Sequence, residues 1–293
     1  MEKIIPKIIV LIIISNISFC YGNQSGLIHI KQYGGLLGNR LFQFCLAKIL
    51  SEELGFPLKC PPIYGFPETY AYQDTPIPHG IPTQILTGHK INFKEICANK
   101  SPRIITISGY FTRYEYIKKY KDKIKQWLRF DEPLEPHPNP NDIVFHIRIH
   151  PSPTYMYLPP SYYKKVLALT DFDQVYICTN EPYHPYIKKF AKYNPIIRSH
   201  TSLNYLMNEE KMSYEKIVQL ALDDFKFIMS FNKIVTAPST FSWWAGYLSE
   251  AKEIFAPITN LGLMSPQNHH DQLIGIEESR YTYIPCIVRN LFY

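Results

Sequence analysis

The sequence predicts an α/β protein made of two Rossmann-like lobes with a ligand cleft between them, and three stretches carry that expectation. Near the start, Leu27–Gln32 alternates apolar and polar residues as a strand does. It then crosses the glycine-bearing loop Tyr33–Asn39 and enters a helix-period pattern from Arg40 to Leu54. In the middle, Ile143–Ile149 (IVFHIRI) is a buried-strand run from whose end one cation, Arg148, emerges. Toward the end, Lys233–Ala237 reads as a short buried strand stopped by Pro238, since proline cannot donate to a sheet ladder. A helix then opens at Ser239-Thr240, two residues suited to cap it.

In chain order, residues 1–22 hold Lys3 and Lys7, the apolar run Ile8–Ile14 and a more polar tail. This is short for a membrane span and fits a secretory signal peptide or a short signal-anchor. Asn23-Gln-Ser25 and Asn99-Lys-Ser101 are glycosylation sequons that agree weakly with a luminal address. The N-terminal lobe is expected over 26–130. Within it, Phe56–Pro82 is rich in Pro and Tyr and reads as irregular surface or a lid, Arg103–Tyr110 as a strand, and Thr112–Leu128 as one amphipathic helix. Residues 131–141, with four prolines, are the expected linker. The C-terminal lobe, 142–293, continues with a helix from Ser161, a strand Gln174–Cys178, a helix near Tyr186–Lys192, a short strand Pro195–Arg198 and the helix Tyr214–Met229.

Composition narrows the class. The chain has 293 residues, 46% hydrophobic and 15% aromatic, which suits a packed globular protein and excludes disorder. Its net charge of +6 is scattered except for KKYKDKIK at Lys118–Lys125, read as the solvated face of a helix; no nucleic-acid partner is expected. Six cysteines show no metal-ligand spacing. Buried free thiols are the default at Cys45 and Cys178, and Cys60 with Cys97 is one candidate pair. His269-His270-Asp271 suggests a metal site at first sight, but adjacent residues seldom ligate together, and a surface loop is the better reading.

The chemistry gathers at the strand ends. A helix whose first turn is Ser239-Thr240 offers free N–H groups, hydroxyls and the positive end of a dipole, which together make an anion site. Arg148 at a buried strand end is costly to desolvate without an anion to meet, the alternative being an arginine that merely emerges to solvent. His146 is equally a packed strand histidine or a ligand.

Three stretches resemble the glycosyltransferase family 11 fucosyltransferases. DFKFIMSFNKIVTAPSTFSWWAGYL, Asp224–Leu248, is similar without a gap to the family's C-terminal signature, with Asn232 and Lys233 near its C-x-H and Pro238 for its Asn. GGLLGNRLFQFC, from Gly34, resembles the family's opening GGLGNQ, with one extra Leu in the loop and Arg40 in place of Gln. His146-Ile-Arg148 matches H-x-R-R-G-D-Y, but Ile149, His150 and Pro151 stand where R-G-D is usual, while Leu158–Tyr163 (LPPSYY) keeps the register.

The resemblance implies a GT-B-like fold and an inverting, metal-independent transfer of fucose from GDP-fucose to a glycan hydroxyl, most often in α-1,2 linkage to galactose. Arg148 would be catalytic, pairing with the phosphates of the departing GDP. Asn39, His146, Asp224, Ser239, Thr240 and Phe241 would bind the donor. No metal or other cofactor is expected, and the partners would be GDP-fucose and a glycan acceptor in the secretory pathway, in the Golgi lumen or membrane or secreted if the leader is cleaved. The only membrane contact would be through the N-terminal anchor. The departures at 149–151 keep two alternatives open: a glycan- or nucleotide-binding pseudoenzyme of the same fold, and a transferase with a different nucleotide-sugar donor. The general base is not identified, His150 and Asp74 being two of many candidates.

Overall fold

The structure, a computed structural model, describes residues 25–149, 158–198 and 214–288. The leader at 1–22, the sequon at Asn23 and the positions His150 and Pro151 lie outside the described residues.

Two parallel sheets organise the chain, as the alternating strand and helix patterns predict. The first has the order β2-β1-β4-β3, with β1 Leu27–His29, β2 Leu58–Lys59, β3 Thr83–Gly88 and β4 Ile104–Gly109. Helix α1 (Leu37–Leu54) crosses from β1 to β2 and ends in the Gly55 left-handed cap, where φ is 71°. A short helix, α2 (Phe93–Ala98), links β3 to β4, and α3 (Tyr114–Ile117) and α4 (Lys121–Trp127) follow.

The second sheet has the order β7-β6-β5-β8-β9-β10 and every pairing in it is parallel. Its strands are β5 Ile143–Ile147, β6 Val175–Thr179, β7 Ile196–Arg198, β8 Lys233–Val235, β9 Glu253–Thr259 and β10 Tyr281–Cys286. Helix α5 (Pro160–Leu167) follows β5, α6 (Tyr214–Met229) precedes β8, and α7 (Thr240–Leu248) joins β8 to β9. Counted from β5, this is the doubly wound order 3-2-1-4-5-6. Its direction of winding reverses between β5 and β8, and such a switch point opens a crevice at the carboxyl ends of the strands.

The two sheets, one in each α/β lobe as expected, share one buried core. It runs from Ile28 and Phe42 through Phe225 and Trp244 to Ile254. Phe42 of α1 packs on both tryptophans of α7, with centroids 5.2 Å from Trp243 and 4.7 Å from Trp244, and Trp243 Nε1 donates to Leu273 O at 2.7 Å. A second cluster under α5 fills the opposite face of the C-terminal sheet with Phe145, Tyr163, Ile177 and Phe190.

Several sequence expectations are corrected. Thr112–Leu128 is not one helix: a 3-10 turn at Lys118–Tyr120 separates α3 from α4. That turn nearly eclipses residues three apart, and Lys118 and Lys121 reach Glu277 (3.1 Å) and Glu278 (2.6 Å) while Lys125 meets Glu250 (2.7 Å). The run is the solvated face the sequence predicts, with Lys118, Lys119 and Lys123 exposed, and it carries surface ion pairs to Glu277, Glu278, Glu250 and Glu52. Phe56–Pro82 is not wholly irregular, since it holds β2 and the 3-10 segment Pro67–Tyr72.

Strands β3, β9 and β10 and helix α2 complete the fold beyond the sequence reading. Pro257 in β9 argues against a central strand, yet the geometry accommodates it. Ile254 donates to Arg280 O on the β10 side, so odd-numbered residues of β9 turn toward β8, whose ladder ends at Thr236 N to Phe255 O. The Thr236 carbonyl that Pro257 cannot serve accepts the Tyr162 hydroxyl at 3.2 Å.

Cys60 and Cys97 do not pair; all five described cysteines are free thiols. The proline-rich segment 131–141 lies against the C-terminal half, where His137 stacks on Phe231 at 4.0 Å and meets Asp142 Oδ2 at 2.7 Å. His269-His270-Asp271 joins the two halves: Arg113 donates to the carbonyls of His269 and His270 (2.8 and 2.9 Å), and Asp271 bonds Thr112 and His89.

Candidate active site

The site assembles at the β5/β8 switch point from three chain segments. On β5, side chains alternate between faces. Ile143, Phe145, Ile147 and Ile149 enter the cluster under α5, whereas Val144 joins the core shared by the two sheets. His146 and Arg148 fall on the latter face, toward the N-terminal half. The β5–β8 ladder ends at Phe145↔Val235, so Arg148 and Pro238 each lie three residues beyond it, past the carboxyl ends of neighbouring strands and just before α7 in the second case.

Arg148 is half-buried, and its guanidinium makes no hydrogen bond or ion pair among the described residues. Burial lowers its pKa and the Glu181 carboxylate opposes that shift. An arginine remains charged at neutral pH regardless, so the crevice holds a cation whose N–H groups have no partner in the described chain. His146 beside it is buried, its pKa pushed down to about 3 by burial and then by the Arg148 charge. Its ring lies 5.4 Å from that of Phe241, and its Nδ1 has no hydrogen-bond partner among the described residues. Tyr163 OH donates to His146 O at 3.1 Å from the other face. His146 is thus a packed neutral imidazole against the first turn of α7.

That first turn is built as the sequence predicts. Ser239 N donates to Ala237 O at 2.7 Å across Pro238, and the Ser239 side chain accepts from Phe241 N at 3.3 Å. Thr240 acts differently from a cap: its hydroxyl donates to Asn39 Oδ1 at 2.9 Å, joining the first turn of α1, which begins at Leu37 and not at Arg40, to the start of α7. Gly38 permits this approach, because a Cβ there would lie 2.6 Å from the Thr240 carbonyl carbon and 2.7 Å from Phe241 N. Gly35, at φ 69°, takes a left-handed turn under Asn39.

Asp224 is set one step aside. Its carboxylate pairs with Arg198 Nε on β7 at 3.8 Å and raises the pKa of Cys178 in addition to the larger effect of burial. Cys178 pairs in register with His146, so Asp224 reaches the strand row that carries His146 through β6. Phe241 is held between His146 and Phe225, whose ring is 5.2 Å away.

Two side-chain amides escaped the sequence reading. Gln43, 2% exposed, accepts from Gly34 N (3.0 Å) and donates to Gly34 O (2.9 Å) and Asn39 O (3.1 Å). Asn180, just past β6, accepts from Ile149 N (2.9 Å) and donates to Ile149 O (2.6 Å). A lone polar residue inside the apolar run Leu41–Leu46 was the available signal for Gln43, because buried amides are almost always paired. Nothing local marks Asn180.

No protein-family model matches the chain, and no curated protein does. Among solved structures, it is similar to a mutant of Arabidopsis thaliana FUT1 in complex with GDP, with 14% identity over 86% of this chain and 76% of that one and a TM-score of 0.49. POFUT1 in complex with GDP is similar at 9% identity over 80% and 98% of the two chains (TM-score 0.44). The NodZ alpha-1,6-fucosyltransferase soaked with GDP-fucose follows at 12% identity over 78% and 94% (TM-score 0.40).

Proposed function

We propose that this protein transfers fucose from GDP-fucose to a glycan hydroxyl, with inversion and without a metal, in α-1,2 linkage to galactose. The observation that carries the reading is Arg148: a half-buried cation without a partner among the described residues, at the switch point of a doubly wound sheet, past the carboxyl end of β5 as the opening turn of α7 is past that of β8. A diphosphate answers both the buried charge and the helix start. Asn39 and Thr240 are hydrogen-bonded at the start of α7, beside Ser239, which supports them as further donor contacts, and the motif resemblance at Gly34, His146 and Asp224–Leu248 supplies the donor and linkage. In this reading the N-terminal lobe, 26–130, presents the acceptor and 142–293 holds the GDP-sugar.

In the reaction, the acceptor oxygen attacks the anomeric carbon while the bond from that carbon to the β-phosphate oxygen breaks. The electron pair stays on phosphate, and the acceptor proton leaves to a base or to water. Arg148 and the α7 amides stabilise the growing phosphate charge, the contribution a preorganised site makes to the transition state. His146 is neutral and does not add to that charge.

The departure at Ile149 fits an active enzyme. Position 149 points into the core under α5, so an arginine there would leave the crevice on the wrong face. The pseudoenzyme and different-donor readings rest on the missing second Arg and Asp of the motif, at Ile149 and Pro151. We infer a secretory-pathway address, in the Golgi or secreted, from the signal-like pattern of residues 1–22.

The test is turnover of GDP-fucose with galactose-terminated acceptors, with GDP and UDP as competitors. Arg148→Ala is expected to lose at least about 100-fold in kcat/KM, the range seen for a single donor to transition-state charge, with its melting temperature unchanged. GDP binding without turnover across an acceptor panel supports the pseudoenzyme, and competition by UDP alone supports another donor.

A further inference from the structure

We infer that Asn180 is the positioning residue for Arg148, an inference that rests on the reading just given. The β5–β6 ladder ends at Ile147↔Thr179, so the backbone beyond it has no strand partner. At that point Asn180 supplies one with its side chain: Oδ1 accepts from Ile149 N at 2.9 Å and Nδ2 donates to Ile149 O at 2.6 Å. One planar amide thereby satisfies both polar atoms of the residue that follows Arg148 and fixes the direction in which Arg148 leaves the strand.

The anchor is firm on both sides. Ile149 is 3% exposed in the cluster under α5, and Tyr163 OH holds His146 O at 3.1 Å from that side. Arg148 shares the crevice face with His146 and is the charged member of the row His146–Ile149, with Glu181, next to Asn180, favouring its charge against burial. A guanidinium that makes no bond of its own among the described residues depends on its backbone for aim. Small errors in aim are costly for charge stabilisation, since a 1 Å misplacement can cost about 100-fold.

The consequence is a coupling between Asn180 and Arg148 that a merely structural residue would not show. GDP is the probe, titrated calorimetrically into the full chain as wild type, Asn180→Ala, Arg148→Ala and the double variant. Asn180→Ala is expected to weaken GDP binding about tenfold when Arg148 is present, and less than about twofold when Arg148 is already alanine. Asn180→Ser, which keeps a small polar side chain without the amide's reach, repeats the comparison if Asn180→Ala does not fold. Equal loss in both backgrounds, or no loss with Arg148 intact, overturns the inference while leaving the proposed function standing. Wild-type protein that binds no GDP, or Arg148→Ala that binds it undiminished, overturns the functional reading and this inference with it.

Discussion

The Thr240 hydroxyl donates to Asn39 Oδ1 at 2.9 Å, across 201 residues of sequence. It ties the first turn of α1 to the first turn of α7, and so joins the two halves of the chain. Asn39 O in turn accepts from Gln43, which also grips Gly34 in the loop before α1, so the three residues are linked.

Thr240→Val keeps the shape of the side chain and removes the donor. It is expected to cost about 1 kcal/mol and to weaken GDP binding roughly five- to tenfold, whereas Thr240→Ser stays near wild type. Calorimetric titration of the three proteins checks this. Equal behaviour of valine and serine would mean that the bond does not organise the site.

Gly38→Ala puts a methyl group 2.6 Å from the Thr240 carbonyl carbon, so the starts of α1 and α7 must separate. The expected loss is about 1–3 kcal/mol, read as a lower urea midpoint, together with reduced GDP affinity. Gly246→Ala on the same helix is the contrast: the nearest atom is 3.4 Å away, and helix propensity makes the change neutral or stabilising.

Gln43→Leu leaves the N–H and C=O of Gly34 without their partner, at a cost of roughly 1–3 kcal/mol for each buried group stranded. Gln43→Glu keeps the acceptor for Gly34 N and faces the carbonyls of Gly34 and Asn39 with a carboxylate. Both are expected to lower thermal stability and to raise KM for the donor more than they lower kcat. A donor KM that stays at the wild-type value would detach the clamp from the site.

His146 gives the fold an acid-sensitive element. Its folded-state pKa is about 3 against an ordinary 6.5, so between these values the unfolded chain binds a proton that the folded one refuses. Stability is therefore lost as pH falls from about 6.5 toward 3, and His146 has no effect above that window. Urea midpoints at pH 7.5 and pH 4.5 should differ more in wild type than in His146→Leu. An identical pH dependence in the two proteins would place the imidazole in contact with water.

Much of the scaffold is legible in the residues alone. The strand, glycine loop and helix at 27–54 and the run Ile143–Ile147 announce themselves by period, and Pro238 and Ser239 mark a stop and a start. Helix α6 falls at Tyr214–Met229 as its pattern says. Strands β9 and β10 were hidden because each carries a proline, and β3 because an edge strand with a largely exposed face shows no apolar run. The tryptophan pair reads as a buried helix face, but its role as the join between the two sheets depends on Phe42, some 200 residues earlier.

Sequence by itself determined the classes of element, the turn at Pro238, the capped start of α7 and the presence of one cation leaving a buried strand, because each is set by local sterics and by the free polar groups of neighbouring residues. Only the tertiary structure decided which face Arg148 takes, that Thr240 reaches Asn39 instead of capping its own helix, and that Asn180 and Gln43 grip peptides elsewhere in the chain. Those outcomes follow from strand register and from buried amides finding partners across the fold, and distance along the chain carries no record of either.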